Sequence, residues 1–419
     1  MLNRISKFLP LALALLMAVV SIQAQSDIPF SYAAVVDGQL WVYPVGETPI
    51  QIETPDARLI NNLTWSPDGS LLAYIVFDEN YESKLLVTHV ADGSTQEIAT
   101  SLNTGFPVSF QDDDYIIYTL LNPTTDPATG IYVIDIWSSP ISTRDAARLL
   151  GTFSQGAGCG GGSNIPADWV YYEETQGLGG FHLILEATPY GILHSAECGG
   201  SVVALLDPET GEDTIISQNF TRTALSPDRT KIAGVELNVR MDSSDNIVRE
   251  TRLLVADLTT LEITELTVSS EPDQITFSAD SSAIFYSTRI QSGDFYDMLS
   301  DVDQAALNAN IGFDYQTVPR YTSEIWQVNI SDNSEIQVYT GDAYAIGRMI
   351  ALTDGSSLIF SAVPNLDAWV AGLIDGTIQF NGDFESQKAV VQPVVYSLNL
   401  SDNSTTVIGA GLGQITIAD

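Results

Sequence analysis

The chain has 419 residues, of which 45% are hydrophobic, with seventeen Tyr, fifteen Phe and six Trp, enough to build a large core and too many for a disordered chain. Sixteen Lys and Arg stand against fifty-three Asp and Glu, a formal charge of −37. Such a surface repels phosphate backbones and anionic lipid, so neither nucleic acid nor a membrane surface is an expected partner.

At the N-terminus, Arg4 and Lys7 precede an apolar run from Phe8 to Val20, and Ser21-Ile22-Gln23-Ala24 follows with a small residue at its end. That is the pattern of a secretory signal peptide over 1–24, leaving residues 25–419 as one domain. No later segment reaches the roughly 18 apolar residues that span a bilayer, so no membrane insertion is expected. The product is expected to be secreted, periplasmic or at the cell surface. In that compartment Cys159 and Cys198, the only cysteines, read as a disulfide closing a loop of about forty residues, worth roughly 3 to 4 kcal/mol. The alternative is a zinc site with His182 and His194, whose spacing matches no paired-ligand pattern.

Short strand runs come first, SYAAVV (31–36), QLWVYPV (39–45) and PIQIE (49–53). A phrase then recurs: an apolar and a bulky residue, Ser or Thr, a spacer, Asp, a turn, and an apolar run ending in an aromatic. It is clearest in LTWSPDGSLLAY (63–74) and returns at 109–118, 166–172, 223–234, 275–286 and 351–360. Asp68, Asp112, Asp168, Asp228, Asp280 and Asp354 mark it at intervals of 44 to 74 residues, the length of one four-stranded unit plus variable loops. A second pair of strands completes the units, as in KLLVTHVADGSTQEIA (84–99), RLLVADLTTLEITELTV (252–268), EIWQVNISDNSEIQVY (324–339) and VYSLNLSDNSTTVI (395–408). Strand residues alternate with Asp-Gly and Asp-Asn turns and no helical period is sustained. Radial stacking of such meanders buries both faces of each, which makes the expected fold an all-β β-propeller. QITIAD (414–419) repeats the opening of QITFSAD (274–280) and then stops, so one blade takes its first strand from the C-terminus and three from the N-terminus. Seven four-stranded blades are expected; irregularity in the fourth leaves six or eight open.

Ser-Pro-Asp-Gly between a Trp-containing first strand and an apolar second strand resembles the TolB-type propeller repeat. The resemblance is strongest at 63–74 and spreads over the whole chain after the leader. It implies an extracytoplasmic protein-binding module. Related propellers accompany serine peptidases, but no Gly-x-Ser-x-Gly elbow is present here, and no counterpart is expected for the small domain that precedes the propeller in TolB.

Loops between second and third strands grow from two residues in the first blade to about thirteen in the fifth. They span 289–322 in the sixth and 364–392 in the seventh. All fall on one face, the expected binding face. Ser300 with Asp303, and Gly312 beyond, predicts a capped helix over 301–311 that acts as a lid. The candidate ligand-binding residues are Asp294, Phe295, Tyr296, Asp297, Asp301, Asp303 and Tyr315 from the sixth-blade loop, with Asp367, Trp369 and Asp383 from the seventh. Carboxylates beside aromatic rings suit a cationic ligand or a Lys/Arg-bearing peptide. The competing reading is a solvated acidic lid whose aromatics pack on the blade beneath. No catalytic residue, no metal ligand and no cofactor is assigned; calcium is the one alternative, although no EF-hand loop exists.

Three weaker signals are set aside. GAGCGGGS (156–163) satisfies Gly-x-Gly-x-x-Gly but lacks the following helix a dinucleotide site needs. Asp68, Asp228 and Asp280 fit turn capping better than a catalytic ring. His89, His182 and His194 are the only histidines, with no activated serine in view. The leading expectation is a non-catalytic propeller that binds a protein or peptide. The alternatives are a propeller enzyme of lyase, lactonase or glycosidase type, with carboxylates and calcium at the channel mouth, and a structural surface protein. The sequence leaves the oligomeric state open.

Overall fold

The computed structural model describes residues 28–418, apart from 37, 55–56, 81, 103–106, 125–130, 144–145, 157–183, 196–200, 242–246, 313–315, 380–391 and 411–414. The leader, Cys159, Cys198, His182 and the glycine-rich segment therefore lie outside the described residues.

Antiparallel strands form a ring of seven four-stranded blades. In the first blade, Ile415–Ile417 pairs with Tyr32–Val36, Tyr32 opposite Ile417 and Ala34 opposite Ile415, and Gln39–Tyr43 and Ile50–Ile52 complete the sheet. The two ends of the chain thus close the ring, as the repeated QIT phrase predicts. Blades two and three begin at Leu59–Trp65 and Ser109–Phe110, blades six and seven at Ile275–Phe277 and Ala345–Ala351. Blades four and five share one continuous strand, Asp213–Leu225. Its first half pairs with Ser201–Leu206 and its second half with Lys231–Met241.

Each gap between neighbouring blades is filled by its own apolar cluster. Leu40, Ile60 and Tyr74 meet between blades one and two, Phe77 and Tyr118 between two and three, and Ile136 and Leu185 between three and four. Leu193 and Phe220, then Val235 and Tyr286, then Phe285 and Phe360 continue the series. Tyr32 and Ile359 close it between blades seven and one. Alternating residues along the second and third strands face opposite clusters, which is why these strands read as nearly unbroken apolar runs. Blade five has Gly234 where blades two and six have Tyr74 and Tyr286. A Cβ there would stand 2.2 Å from the Phe220 ring, which occupies the space an aromatic fills elsewhere.

The Ser-x-Asp turns are local hydrogen-bonded units. Asp68 accepts from Ser66 Oγ at 2.7 Å and Ser70 N at 2.9 Å. Asp228 and Asp280 do the same with Ser226 and Thr230, and with Ser278 and Ser282. The two near-identical phrases fold identically. Asn329 and Asn399 each accept from the serine two residues on at 2.8 Å, and Asn333 and Asn403 both adopt φ 57°.

Among the described residues the first strand of blade four is Leu185–Thr188; the repeat variant at 166–172, with Asp168, lies outside them. One expectation is corrected. The thirteen-residue loop of blade five is largely strand: Lys231–Met241 and Ile247–Asp257 pair from end to end, and only 242–246 connect them. Backbone ladder bonds continue along the whole hairpin.

Candidate functional site

First-to-second and third-to-fourth turns share one face of the ring, here the turn face; the longer connections share the other. On that second face the insertions of blades six and seven meet. The strand Ala283–Asp294 and its partner Pro319–Asn329 carry blade six well beyond the core before the insertion begins. Asp294 closes its neck, accepting from Tyr296 N at 2.9 Å and Val318 N at 2.7 Å. Although burial works against ionisation, these bonds hold Asp294 below the usual carboxylate range.

A single turn at Tyr296–Met298 leads to helix α1, Asp301–Ile311. Its bounds are those the sequence predicts. Ser300 caps it, accepting from Asp303 N at 3.3 Å and donating to Asp303 Oδ2 at 2.7 Å, and Gly312 ends it at φ 86°. Blade seven contributes helix α2, Asp367–Asp375, within what reads in the sequence as loop. Leu307 and Ile311 of α1 pack with Val370 and Leu373 of α2, and with Val318 and Ile378. Asn310 ties the helices by donating to Leu373 O at 2.9 Å. The result is a cap with a small apolar core of its own.

Phe295, Tyr296 and Trp369 pack, partly buried, against that core. Asp297 and Asp301 are exposed, Asp303 is engaged at the helix cap, and Asp294 is engaged at the neck. Tyr315 and Asp383 lie outside the described residues. Among the described carboxylates of this set only Asp367 pairs with a cation: Arg320 Nε stands 3.1 Å from its Oδ2, and Arg320 Nη2 reaches Asp342 Oδ2 at 2.8 Å. Burial pushes the Asp367 carboxyl up, Arg320 draws it down and Asp342 adds to the rise.

Beneath the cap is a second cluster that sequence reasoning misses. The Arg289 guanidinium lies over the rings of Tyr321 and Tyr344, 5.1 and 5.4 Å from their centroids, and its Nε is 3.3 Å from Asp273. Arg222 Nε donates to Asp273 O at 3.1 Å. Burial raises the Asp273 carboxyl against the pull of both arginines. No signal in the sequence joins these residues, because the partners of Arg289 and Arg222 lie far along the chain and are brought together by strand pairing within blade six and by contact with blades five and seven. His194, weighed as a zinc ligand, is buried with Nε2 2.8 Å from Asp213 Oδ1. Among the described residues no group of three or more His, Cys, Asp or Glu could hold a metal ion, and no helix is long and apolar enough to cross a membrane. The cap thus has an apolar core of its own and exposed carboxylates, Asp297 and Asp301, on its surface.

No protein-family model and no curated protein matches the chain. Similar solved structures include TolB from Acinetobacter baumannii, 16% identical, covering 74% of this chain and 63% of that one, with a TM-score of 0.41. This chain thus spans less than two thirds of that TolB. An oligogalacturonate lyase from Vibrio parahaemolyticus is 11% identical, with 79% of this chain and 82% of that one covered and a TM-score of 0.47. One of two prolyl endopeptidases is also 11% identical, covering 96% of this chain and 52% of that one, TM-score 0.47. Likeness at this level concerns fold alone. With Ser-x-Asp turns opening blades two, five and six and the ring closed through both ends, the chain is a seven-bladed β-propeller.

Proposed function

We propose that the protein is an extracytoplasmic, non-catalytic propeller that binds a protein or peptide carrying Lys or Arg on the outer surface of its two-helix cap. The observation that carries the reading is the pairing of apolar exposure with acid. Val302 is 76% and Met298 67% exposed, and exposed Asp297 and Asp301 stand beside them in sequence. Leaving two such side chains in water on an element whose other face already has a packed core is a feature of interaction surfaces. The flanking carboxylates select a cationic partner, and the charge of −37 draws it in at long range.

The test is selection of displayed peptides on the full chain. Enriched peptides are expected to combine Lys or Arg with an apolar residue, and to lose affinity at least about tenfold for a V302D/D301K variant whose melting is unchanged. Peptides bound equally by the variant would place recognition elsewhere.

A further inference from the structure

The seam between blades six and seven changes character at the cap face. Deeper in the ring the gap is apolar, with Phe285 and Phe360 in one cluster. Under the cap it holds Arg289, Tyr321 and Tyr344 instead, and the connection into blade six adds Asp273. The two tyrosine rings meet edge to face, their centroids 5.2 Å apart and their planes at 86°. They form two walls at nearly a right angle, with the Arg289 guanidinium against both.

Each part of this corner is held from behind. Asn365 of blade seven bonds both backbone groups of Tyr321, accepting from its N at 2.9 Å and donating Nδ2 to its O at 3.0 Å. Tyr344 N donates to Val363 O at 2.8 Å, and Asp273 N donates to Ser287 O at 2.7 Å. Arg222 Nε reaches Asp273 O at 3.1 Å, and the Asp273 carboxylate lies 3.3 Å from Arg289 Nε. The terminal fork of Arg289 is what these contacts leave over. Nη1 is buried without an acceptor, and neither Nη1 nor Nη2 bonds another described residue, although the side chain as a whole is 25% exposed.

An unmatched buried donor is costly, and a chain with fifty-three Asp and Glu has no shortage of acceptors. The neighbouring acids are engaged elsewhere: Asp342 and Asp367 pair with Arg320, and Glu271 accepts from Thr251 Oγ1 at 2.5 Å. We propose that the Arg289 fork binds the carboxylate of a small organic acid in the tyrosine corner beneath the cap. A planar guanidinium matches a carboxylate through paired hydrogen bonds, and the anchored Nε and stacked rings fix the fork before the ligand arrives. The ring faces suit an acid with a flat apolar body. Asp273, Asp342 and Asp367 stand close enough to disfavour a phosphate dianion over a single negative charge. None of these residues belongs to the outer cap surface around Met298 and Val302, so the site is tested apart from peptide binding.

The test is titration calorimetry of the full chain with benzoate, with benzamide as its uncharged counterpart of similar shape, and with inorganic phosphate at matched ionic strength. Benzoate is expected to bind saturably and at least about tenfold more tightly than either control. R289A should weaken benzoate binding at least about tenfold. R289K keeps a charge beside Asp273 and carries the test if R289A melts at a lower temperature than the parent. Lacking the fork, it should recover only part of the loss. Absence of saturable benzoate binding, equal affinity for benzamide, phosphate bound as tightly as benzoate, or parental affinity in either variant would overturn the proposal.

Discussion

Asp68 and Asp228 are each held at a pKa of about 2, and the reason is local. The Ser66 hydroxyl contributes most at Asp68, joined by Ser70. At Asp228 burial opposes ionisation, but bonds from Ser226 and Thr230 and the charge of Lys231 outweigh it. Because the folded pKa is depressed below the unfolded value near 4, the stability these groups contribute is complete above about pH 4 and is lost as pH falls through about 2. A D68N/D228N variant should therefore be less stable than the parent at pH 5 and converge on it near pH 2, measured by urea midpoints. A difference that stays constant with pH would contradict the assignment. Within the same turn, Ser226 is buried and bonds both Asp228 Oδ1 and Lys231 N, so S226A should cost about 1 kcal/mol. These roles are legible in sequence because donor and acceptor lie two to five residues apart. Arg289 and Arg320 are not, because Tyr344, Asp342 and Asp367 reach them from 22 to 55 residues away, and strand pairing within blade six together with the approach of blade seven sets the distance.

Helices α1 and α2 show the same contrast between elements. Ser300, Asp303 and Gly312 announce α1 to the residue, since capping is written in the chain itself. α2 starts at Leu366 with no side-chain cap bond, and what fixes it is packing of Val370 and Leu373 onto Leu307 and Ile311. Short helices of that kind depend on tertiary contact and leave little trace in the sequence. The long hairpin of blade five escapes for a related reason, being held by a backbone ladder between its two strands rather than by a turn motif or cap. The two insertions should accordingly open together. Leu307→Ala removes a fully buried side chain from their shared core and should destabilise the cap by about 2 to 5 kcal/mol. Hydrogen exchange should then quicken across both 301–311 and 367–375 and leave the blade strands unchanged. Faster exchange confined to α1 would mean that the insertions are separate loops.

Seven inter-blade clusters give the whole molecule a core that is distributed around a ring rather than gathered at a centre, so closure matters more than any single blade. The first and last strands were legible because the repeat is interrupted at one end of the chain and resumed at the other. Ile417 is buried in the seam between blades seven and one, and Ile417→Ala should cost about 2 to 5 kcal/mol in thermal or urea unfolding. A melting curve unaltered by that change would contradict closure through the C-terminus. Charge acts at the same scale. Self-repulsion among a net −37 charges weakens at higher ionic strength, so the melting temperature should rise as sodium chloride is raised from about 20 mM to about 0.5 M.

The central claim is that blades six and seven together present the recognition face. Its most direct test is hydrogen–deuterium exchange of the full chain with and without a peptide selected on it. The account predicts slowed exchange in 295–311 and 367–378, where Met298 and Val302 meet the partner. Protection confined to the turn-face segments 66–70, 226–231 and 278–283 would contradict it and move recognition to the opposite side of the ring.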